Sequence, residues 1–401
     1  MANFLMKLRY RKAIASAFAA ASLLAGCGGG GGGDSPAMPT GTLRLALTDM
    51  PACGYDAVNV TIEKVRVHQS DGAGDSASGW SEVVLEPAKR VELLTLTNGV
   101  LEELGQTPLP TGKYTQMRLV LAANDATTPL ANSVTPTGGT ETALATPSAV
   151  QSGLKINIDI DVTADKVADF VLDFDACRSV VKAGGSGRYN LKPVVSVIPR
   201  LSDAANRIVG YVPLGLVAGT TGVSAQTDGV PVKSTTPDAT GKFVLSPLPE
   251  GGYDVVISAD GRRTASITGV PVTSTENTVL NSDATPIDPP AATMRTASGT
   301  VTITPTPSSI DAVVVVHKAY TGGPTVEVAG GPVDAVTGSF SYTLPAEAPV
   351  KAPYGAALTF AEDGASPAGV YTLVATSGTA TKSADIDVTT ADKTDVVIAF
   401  P

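Results

Sequence analysis

The chain has 401 residues, with 28 Lys and Arg against 38 Asp and Glu, two His and three Cys, for a formal charge of −10. That length holds two to four domains, and an acidic balance without a basic patch excludes nucleic acid as a partner. With 41 Gly, 29 Pro and only 16% charged residues, many short strands joined by turns are expected, not helices.

Lys7, Arg9, Arg11 and Lys12 precede an apolar run from Ala13 to Ala25, broken only by Ser16 and Ser22. This is the layout of a secretory signal. The run is too short for the roughly 20 helical residues that cross a bilayer. Leu24-Ala25-Gly26-Cys27 then resembles the lipobox of bacterial lipoproteins. The resemblance implies that residues 1–26 are a cleaved signal peptide, that Cys27 carries a diacylglyceryl thioether, and that the new N-terminus is acylated. Two or more acyl chains anchor a protein stably. The membrane is thus an expected partner, through the lipid. Gly28 stands where Asp favours retention in the inner membrane, so the resemblance points to the outer membrane. Residues 27–40, with Gly28 to Gly33, read as a flexible tether.

Cys53 and Cys177 remain, an even number in an oxidising compartment, and are expected to form a disulfide. Two buried free thiols are the other reading.

A first domain is read over residues 41–200. Leu43, Leu45 and Leu47 alternate with polar or small neighbours, as in a strand with one buried face. Val58, Val60 and Ile62 open a second strand that Val65 and Val67 continue past a bulge. Asp71 to Asp75 is a turn, and Trp80 to Leu85 returns. Asn98 to Gly105 reads as one or two capped helical turns with Gly105 as the stop. Pro108 to Tyr114 leads tightly into a strand bearing Met117, Leu119 and Leu121. Ile156, Ile158, Ile160 and Val162 alternate with Lys155, Asn157, Asp159 and Asp161. Phe170, Leu172 and Phe174 form the next alternating set, and Tyr189 to Val195 leads to the last strand.

Several of these segments, taken in order, resemble one family. They are Leu47-Thr48-Asp49-Met50-Pro51 with Tyr55 to Val58, Leu93 to Gly99, Leu109-Pro110-Thr111-Gly112-Lys113-Tyr114 through Leu119, and Leu191-Lys192-Pro193-Val194. The family is the domain of unknown function 4382, found in bacterial lipoproteins. It implies no activity. Tyr114 and Leu119 read as core, and Pro110-Thr111-Gly112 as turn chemistry.

Residues 205–283 follow with Thr240-Gly241-Lys242-Phe243 and Leu248-Pro249-Glu250-Gly251-Gly252-Tyr253. This segment resembles the carboxypeptidase-regulatory-like, transthyretin-like β-sandwich. Residues 284–294, with Pro286, Pro289 and Pro290, read as a linker. Residues 295–401 repeat the pattern. Thr337-Gly338-Ser339-Phe340 parallels Thr240 to Phe243, and Gly369-Val370-Tyr371 parallels Gly252 and its following strand. An insertion, Ala346 to Ser366, separates the Phe strand from the Tyr strand. The expected fold class is therefore all-β, with several β-sandwich-type domains in tandem after a cleaved lipoprotein signal.

Recognisable reaction chemistry is sparse. His68 and His317 lie about 250 residues apart, so a Ser-His triad or a His-rich zinc site lacks parts. Both read as surface residues. Asp159 and Asp161 share one strand face, and Asp173 and Asp175 another. Such columns are candidates for Ca²⁺, although solvated faces explain them equally. Asp71 and Asp75 lack EF-hand spacing. Trp80, the one tryptophan, is a candidate sugar platform or simply hairpin packing. No cofactor is expected. The resulting expectation is a non-catalytic binding, adhesion or structural module of the envelope that meets an envelope or extracellular ligand. The alternatives are a carbohydrate- or calcium-binding accessory protein and a carboxylate-dependent, glycoside-acting enzyme.

Overall fold

The computed structural model describes residues 38–50, 54–147, 152–200, 205–217, 221–364 and 366–401. Cys27, the glycine tether and Cys53 lie outside the described residues. Residues 39–401 form one compact unit. Among the described residues no helix is long and apolar enough to cross a membrane.

The first domain holds β1 (Thr40–Met50), β2 (Tyr55–His68), β3 (Ser81–Glu92), β4 (Glu102–Pro110), β5 (Gly112–Leu121), β6 (Ser133–Pro136), β7 (Thr142–Ala145), β8 (Leu154–Val162), β9 (Val167–Asp175), a one-turn helix α1 (Ala176–Ser179), β10 (Val180–Lys182), β11 (Tyr189–Leu191) and β12 (Val195–Pro199). One sheet runs β12-β9-β1-β4; the other runs β10-β11-β7-β6-β2-β5-β8, with β3 also on β2. Their apolar faces enclose one core that includes Leu43, Leu45, Leu47, Tyr114, Leu119 and Phe174. β8 alternates strictly between buried and exposed, as its sequence dictates. The bulge expected in β2 falls between Ile62 and Lys64.

The helical turn read over Asn98 to Gly105 does not form. Asn98 and Gly99 both take positive φ, 60° and 81°, which makes a turn, and the chain leaves it as β4. The Glu-Glu-Leu segment has helix-forming residues, but pairing with β1 and burial of Leu104 override that preference. Gly105, with φ 120°, marks a bulge opposite Leu45 and Ala46, not a helix stop.

The second domain has β13 (Ile208–Tyr211), β14 (Thr221–Thr227), β15 (Val230–Thr235), β16 (Lys242–Leu245), β17 (Gly251–Ala259), β18 (Ala265–Val272) and β19 (Thr278–Val279). The third has β20 (Met294–Ile303), β21 (Val313–Ala319), β22 (Thr325–Pro332), β23 (Ser339–Pro345), β24 (Val350–Pro353), β25 (Ala361–Glu362), β26 (Val370–Ser377), β27 (Ala380–Asp387) and β28 (Lys393–Phe400). Each has its own core, one around Phe243 and Ile257, the other around Phe340 and Leu373.

The repeat seen in the sequence is exact in its turn geometry. Gly241 (φ 83°) and Gly338 (φ 67°) take the left-handed conformation at equivalent turns. A Cβ at either would overlap a carbonyl oxygen of the facing strand, Val212 or Val301, so only Gly fits. The Tyr corner also recurs. Tyr253 Oη donates to the Pro249 carbonyl at 2.8 Å, and Tyr371 Oη to the Pro345 carbonyl at 2.6 Å. In the first domain Tyr114 Oη donates likewise to Pro110, at 3.1 Å.

The insertion explains how the third domain can keep that corner with its Tyr 26 residues beyond its Pro. It bridges the two domains: Asp363 accepts Thr321 N and Ser366 Oγ donates to Ala319 O within the third domain, while its strands join the second domain's sheet. β24 pairs in parallel with β18, placing Val350 beside Ala265 and Ala352 beside Ile267, and β25 pairs on β24. The second domain's sheet therefore runs β15-β14-β17-β18-β24-β25. Val350 is buried in the second core, with Leu358 and Phe360 against it. The Pro-rich segment 284–294 is docked as well, contrary to a free linker: Ile287 is buried, its N–H donates to Tyr211 O at 2.8 Å, and Arg262 donates to Pro289 O.

Candidate functional site at the three-domain junction

The face of β9 that carries Asp173 and Asp175 reads from the sequence as a Ca²⁺ column or a solvated face. Val171, Asp173 and Asp175 on that face are instead buried, because the second and third domains cover it. β15 carries Lys233 across to this face. Its ammonium donates to Asp173 Oδ1 at 2.6 Å and to the Asp49 carbonyl at 3.2 Å. The Lys233 and Asp173 side chains are 1% and 0% exposed, so the pair is fully withdrawn from water.

Asp49 ends the run of Leu43, Leu45 and Leu47, and its Oδ1 accepts the Ala176 N–H at the start of α1. Asp175 caps the same helix by accepting from Arg178 N at 2.9 Å. Arg178 then reaches Glu327 on β22 of the third domain, with Asp175 Oδ2 3.5 Å away. Gln226 on β14 closes the triangle. It donates to Glu327 O at 2.7 Å and accepts Glu327 N at 2.9 Å. On the far side the Asn98 turn docks on the second domain: Asn98 N donates to Thr235 Oγ1, and Asn98 Oδ1 accepts Val244 N. Gly184 N donates to Asp334 of the third domain at 3.0 Å. Burial raises the Asp49 carboxyl well above the usual carboxylate range. It also raises Asp173 and Asp175, against the pull of Lys233 and Arg178. Burial raises Glu327 too, again outweighing Arg178.

Beside this network lies a cleft of about 560 Å³ lined from all three domains, with Cys177, Arg178, Thr221, Ser258, Glu327 and Tyr342 among its walls. Hydroxyl groups dominate its polar lining, and Arg178 with Glu327 and Asp175 supply its charges. His317 on the neighbouring β21 is half-buried, and burial, then the Arg178 charge, lowers its pKa.

The residues singled out from the sequence are scattered. Asp159 and Asp161 are exposed on β8, and Asp159 pairs with Lys113 at 2.8 Å. Asp75 pairs with Arg118, and the Asp71 carbonyl accepts Lys155 Nζ. Among the described residues no group of three or more His, Cys, Asp and Glu could hold a metal ion. Trp80 is packed in its hairpin: its indole donates to Gly74 O, and the Arg66 and Arg118 guanidinium carbons stand 4.6 and 5.2 Å from the ring. His68 lies against it, 5.0 Å between ring centroids. Cys177 lies on α1, at the cleft wall.

Sequence reasoning missed Lys233, Asn98, Arg178, Gln226 and Glu327. One signal was available. Val171 shares a strand face with Asp173 and Asp175, and an apolar residue there argues for a covered face. Nothing around Lys233, in Val-Pro-Val-Lys-Ser-Thr, marks a buried cation.

Residues 40–193 match the model of the domain of unknown function family DUF4382, and residues 212–285 that of the carboxypeptidase regulatory-like domain. No curated protein matches the chain. Among solved structures, a type II cohesin–X-dockerin complex from Acetivibrio cellulolyticus is 25% identical, over 20% of this chain and 55% of that one, with a TM-score of 0.18. This chain thus spans little more than half the length of that one. A streptococcal ancillary pilin is 10% identical over 89% and 98% of the two chains, with a TM-score of 0.16. BcpA, the major pilin subunit of Bacillus cereus, is 13% identical over 90% and 99%, with a TM-score of 0.15. Superpositions this loose carry no functional conclusion. The chain is an all-β protein that carries a DUF4382 domain over residues 40–193, followed by a carboxypeptidase regulatory-like domain over 212–285.

Proposed function

We propose that the protein is a lipid-anchored, non-catalytic structural module of the bacterial envelope, held by Cys27 in the outer membrane and carrying its three domains as one block. The observation that carries this reading is the fastening. Lys233, Asn98, Gln226, Arg178 and the β18–β24 ladder each cross a domain boundary, where inter-domain motion would otherwise be the default. Leu24 to Cys27 and the glycines after it support the anchor and tether. The hydroxyl-rich cleft supports a second reading, an accessory protein that binds a neutral polar ligand such as an oligosaccharide.

Palmitate labelling and fractionation test the anchor. Wild-type protein is expected to take up label and sediment with outer membranes, and Cys27→Ser to do neither. Unlabelled wild-type protein would contradict the anchor. Protease added to intact cells then distinguishes a surface block, which is cleaved, from a periplasmic one, which is protected until permeabilisation.

We also propose that Cys53 pairs with Cys177. The register places Met50 beside Asp175, and in the sequence Cys53 and Cys177 stand three and two residues after them. Cys177 is disulfide-bonded, which supports the pairing. Cys53→Ser is expected to leave a Cys177 thiol that a maleimide labels after denaturation, whereas non-reduced wild-type protein does not label there. Labelling of both proteins alike would sink the bond.

A further inference from the structure

We propose that Lys233 and Asp173 are a condensation site, at which the side-chain amine and carboxyl join in an amide that fastens the second domain covalently to the first. Four observations on the buried face support it. The two groups are in direct contact at 2.6 Å. Both side chains are withdrawn from solvent. Asp173 Oδ2, the oxygen that would leave, has no hydrogen-bond partner, and neither has Asp49 Oδ2. Both partners are held by frameworks that cannot part locally, since Asp173 lies in the middle of β12-β9-β1 and Lys233 is fixed at Asp49 O as well.

The step balances within the pair. Moving one proton across the contact turns ammonium and carboxylate into neutral amine and neutral acid, the form that a dry interior favours. The Lys233 nitrogen attacks Asp173 Cγ, an N–C bond forms, the C–O bond to the departing hydroxyl breaks, and one water leaves. No oxidant or co-reactant takes part. The Asp49 carboxyl feels the charge of both Lys233 and Asp173. The proton that the Lys233 nitrogen loses passes to the departing Asp173 oxygen within the pair, so that it leaves as water. Two groups held in one geometry react as though at effective concentrations of about 10⁵–10⁸ M. The burial of both side chains keeps bulk water from the new amide.

Peptide mapping of the full-length protein, purified from its host, denatured, reduced and alkylated, tests the site. Trypsin should fail to cut after Lys233, so that residues 208–242 appear joined to residues 167–178 with a mass one water below their sum. Fragmentation should place the join at Lys233 and Asp173. Free peptides 208–233 and 167–178 in place of the joined pair would overturn the proposal. Lys233→Arg keeps the charge but cannot form this link, and should return the free peptide 167–178. A joined pair that persists in Lys233→Arg would also overturn the assignment.

Discussion

Measured against protein whose Lys233–Asp173 pair is not yet joined, Lys233→Ala is expected to destabilise by about 3–5 kcal/mol, read as a lower urea midpoint, because it leaves the Asp173 carboxylate buried without its partner. The loss is not the net worth of the pair. Removing both charges with apolar groups of similar size, as in Lys233→Met with Asp173→Leu, should recover most of it. The penalty also depends on pH, and its sign is fixed. Burial holds Asp49, Asp173, Asp175 and Glu327 above their usual carboxyl range. The folded state then keeps protons that the unfolded chain has released, so stability falls as pH rises through the folded-state pKa values. Without Lys233 the Asp173 carboxyl rises further. The cost of Lys233→Ala should therefore be larger near pH 7.5 than near about pH 5. An equal cost at both would mean that Asp173 is hydrated in the variant and that the interface has opened.

Excising the third-domain insertion, Ala346 to Ser366, with Pro345 rejoined to Pro367 by a short turn so that Lys318 keeps its Pro367 carbonyl, is expected to weaken the second domain more than the third. β24 covers the open edge of β18, and its Val350 is 3% exposed in the second core. Burial of one Val contributes about 1.5–3 kcal/mol. The bonds Val350 N to Thr264 O and Tyr354 N to Thr268 O, both 2.9 Å, add about 0.5–1.5 kcal/mol each. The third domain loses single bonds, those of Thr321 N to Asp363 and of Ser366 Oγ to Ala319 O among them, but keeps its β21–β26 ladder and its Tyr371–Pro345 corner. A bare β18 is an open sheet edge, which invites pairing with another chain. Hydrogen exchange should show β17 and β18 deprotected with β26 unchanged, and size exclusion should show self-association. Deprotection confined to β26 would mean that the insertion serves its own domain.

The fold was legible wherever a strand has one wet face. The alternation of Ile156 to Val162 gives β8 directly, and the Thr-Gly-x-Phe turns and Pro-to-Tyr corners reveal the repeat, because each depends on local geometry. The junction was not legible, for a physical reason. Asp173 and Asp175 alternate with Phe170, Leu172 and Phe174 in the manner of a solvated face, and only a neighbouring domain makes them buried. Lys233 is likewise an ordinary edge-strand lysine until β15 meets β9. The insertion could be seen as a break in the repeat. Its β24 segment, Val350-Lys351-Ala352-Pro353, is too short to declare which sheet it joins, and pairing with β18 is decided by the edge that awaits it. The Asn98 turn was misread for a similar reason. Its Glu-rich continuation suits a helix, and the partner strand that draws it into β4 lies more than 50 residues earlier.

The claim that three domains act as one block is tested most directly by differential scanning calorimetry of the whole mature protein. The fastened junction predicts a single transition whose calorimetric and van't Hoff enthalpies agree, and which broadens or splits in Lys233→Ala. Three transitions in the wild-type protein, unmoved by Lys233→Ala, would show that the domains unfold independently and would contradict the account.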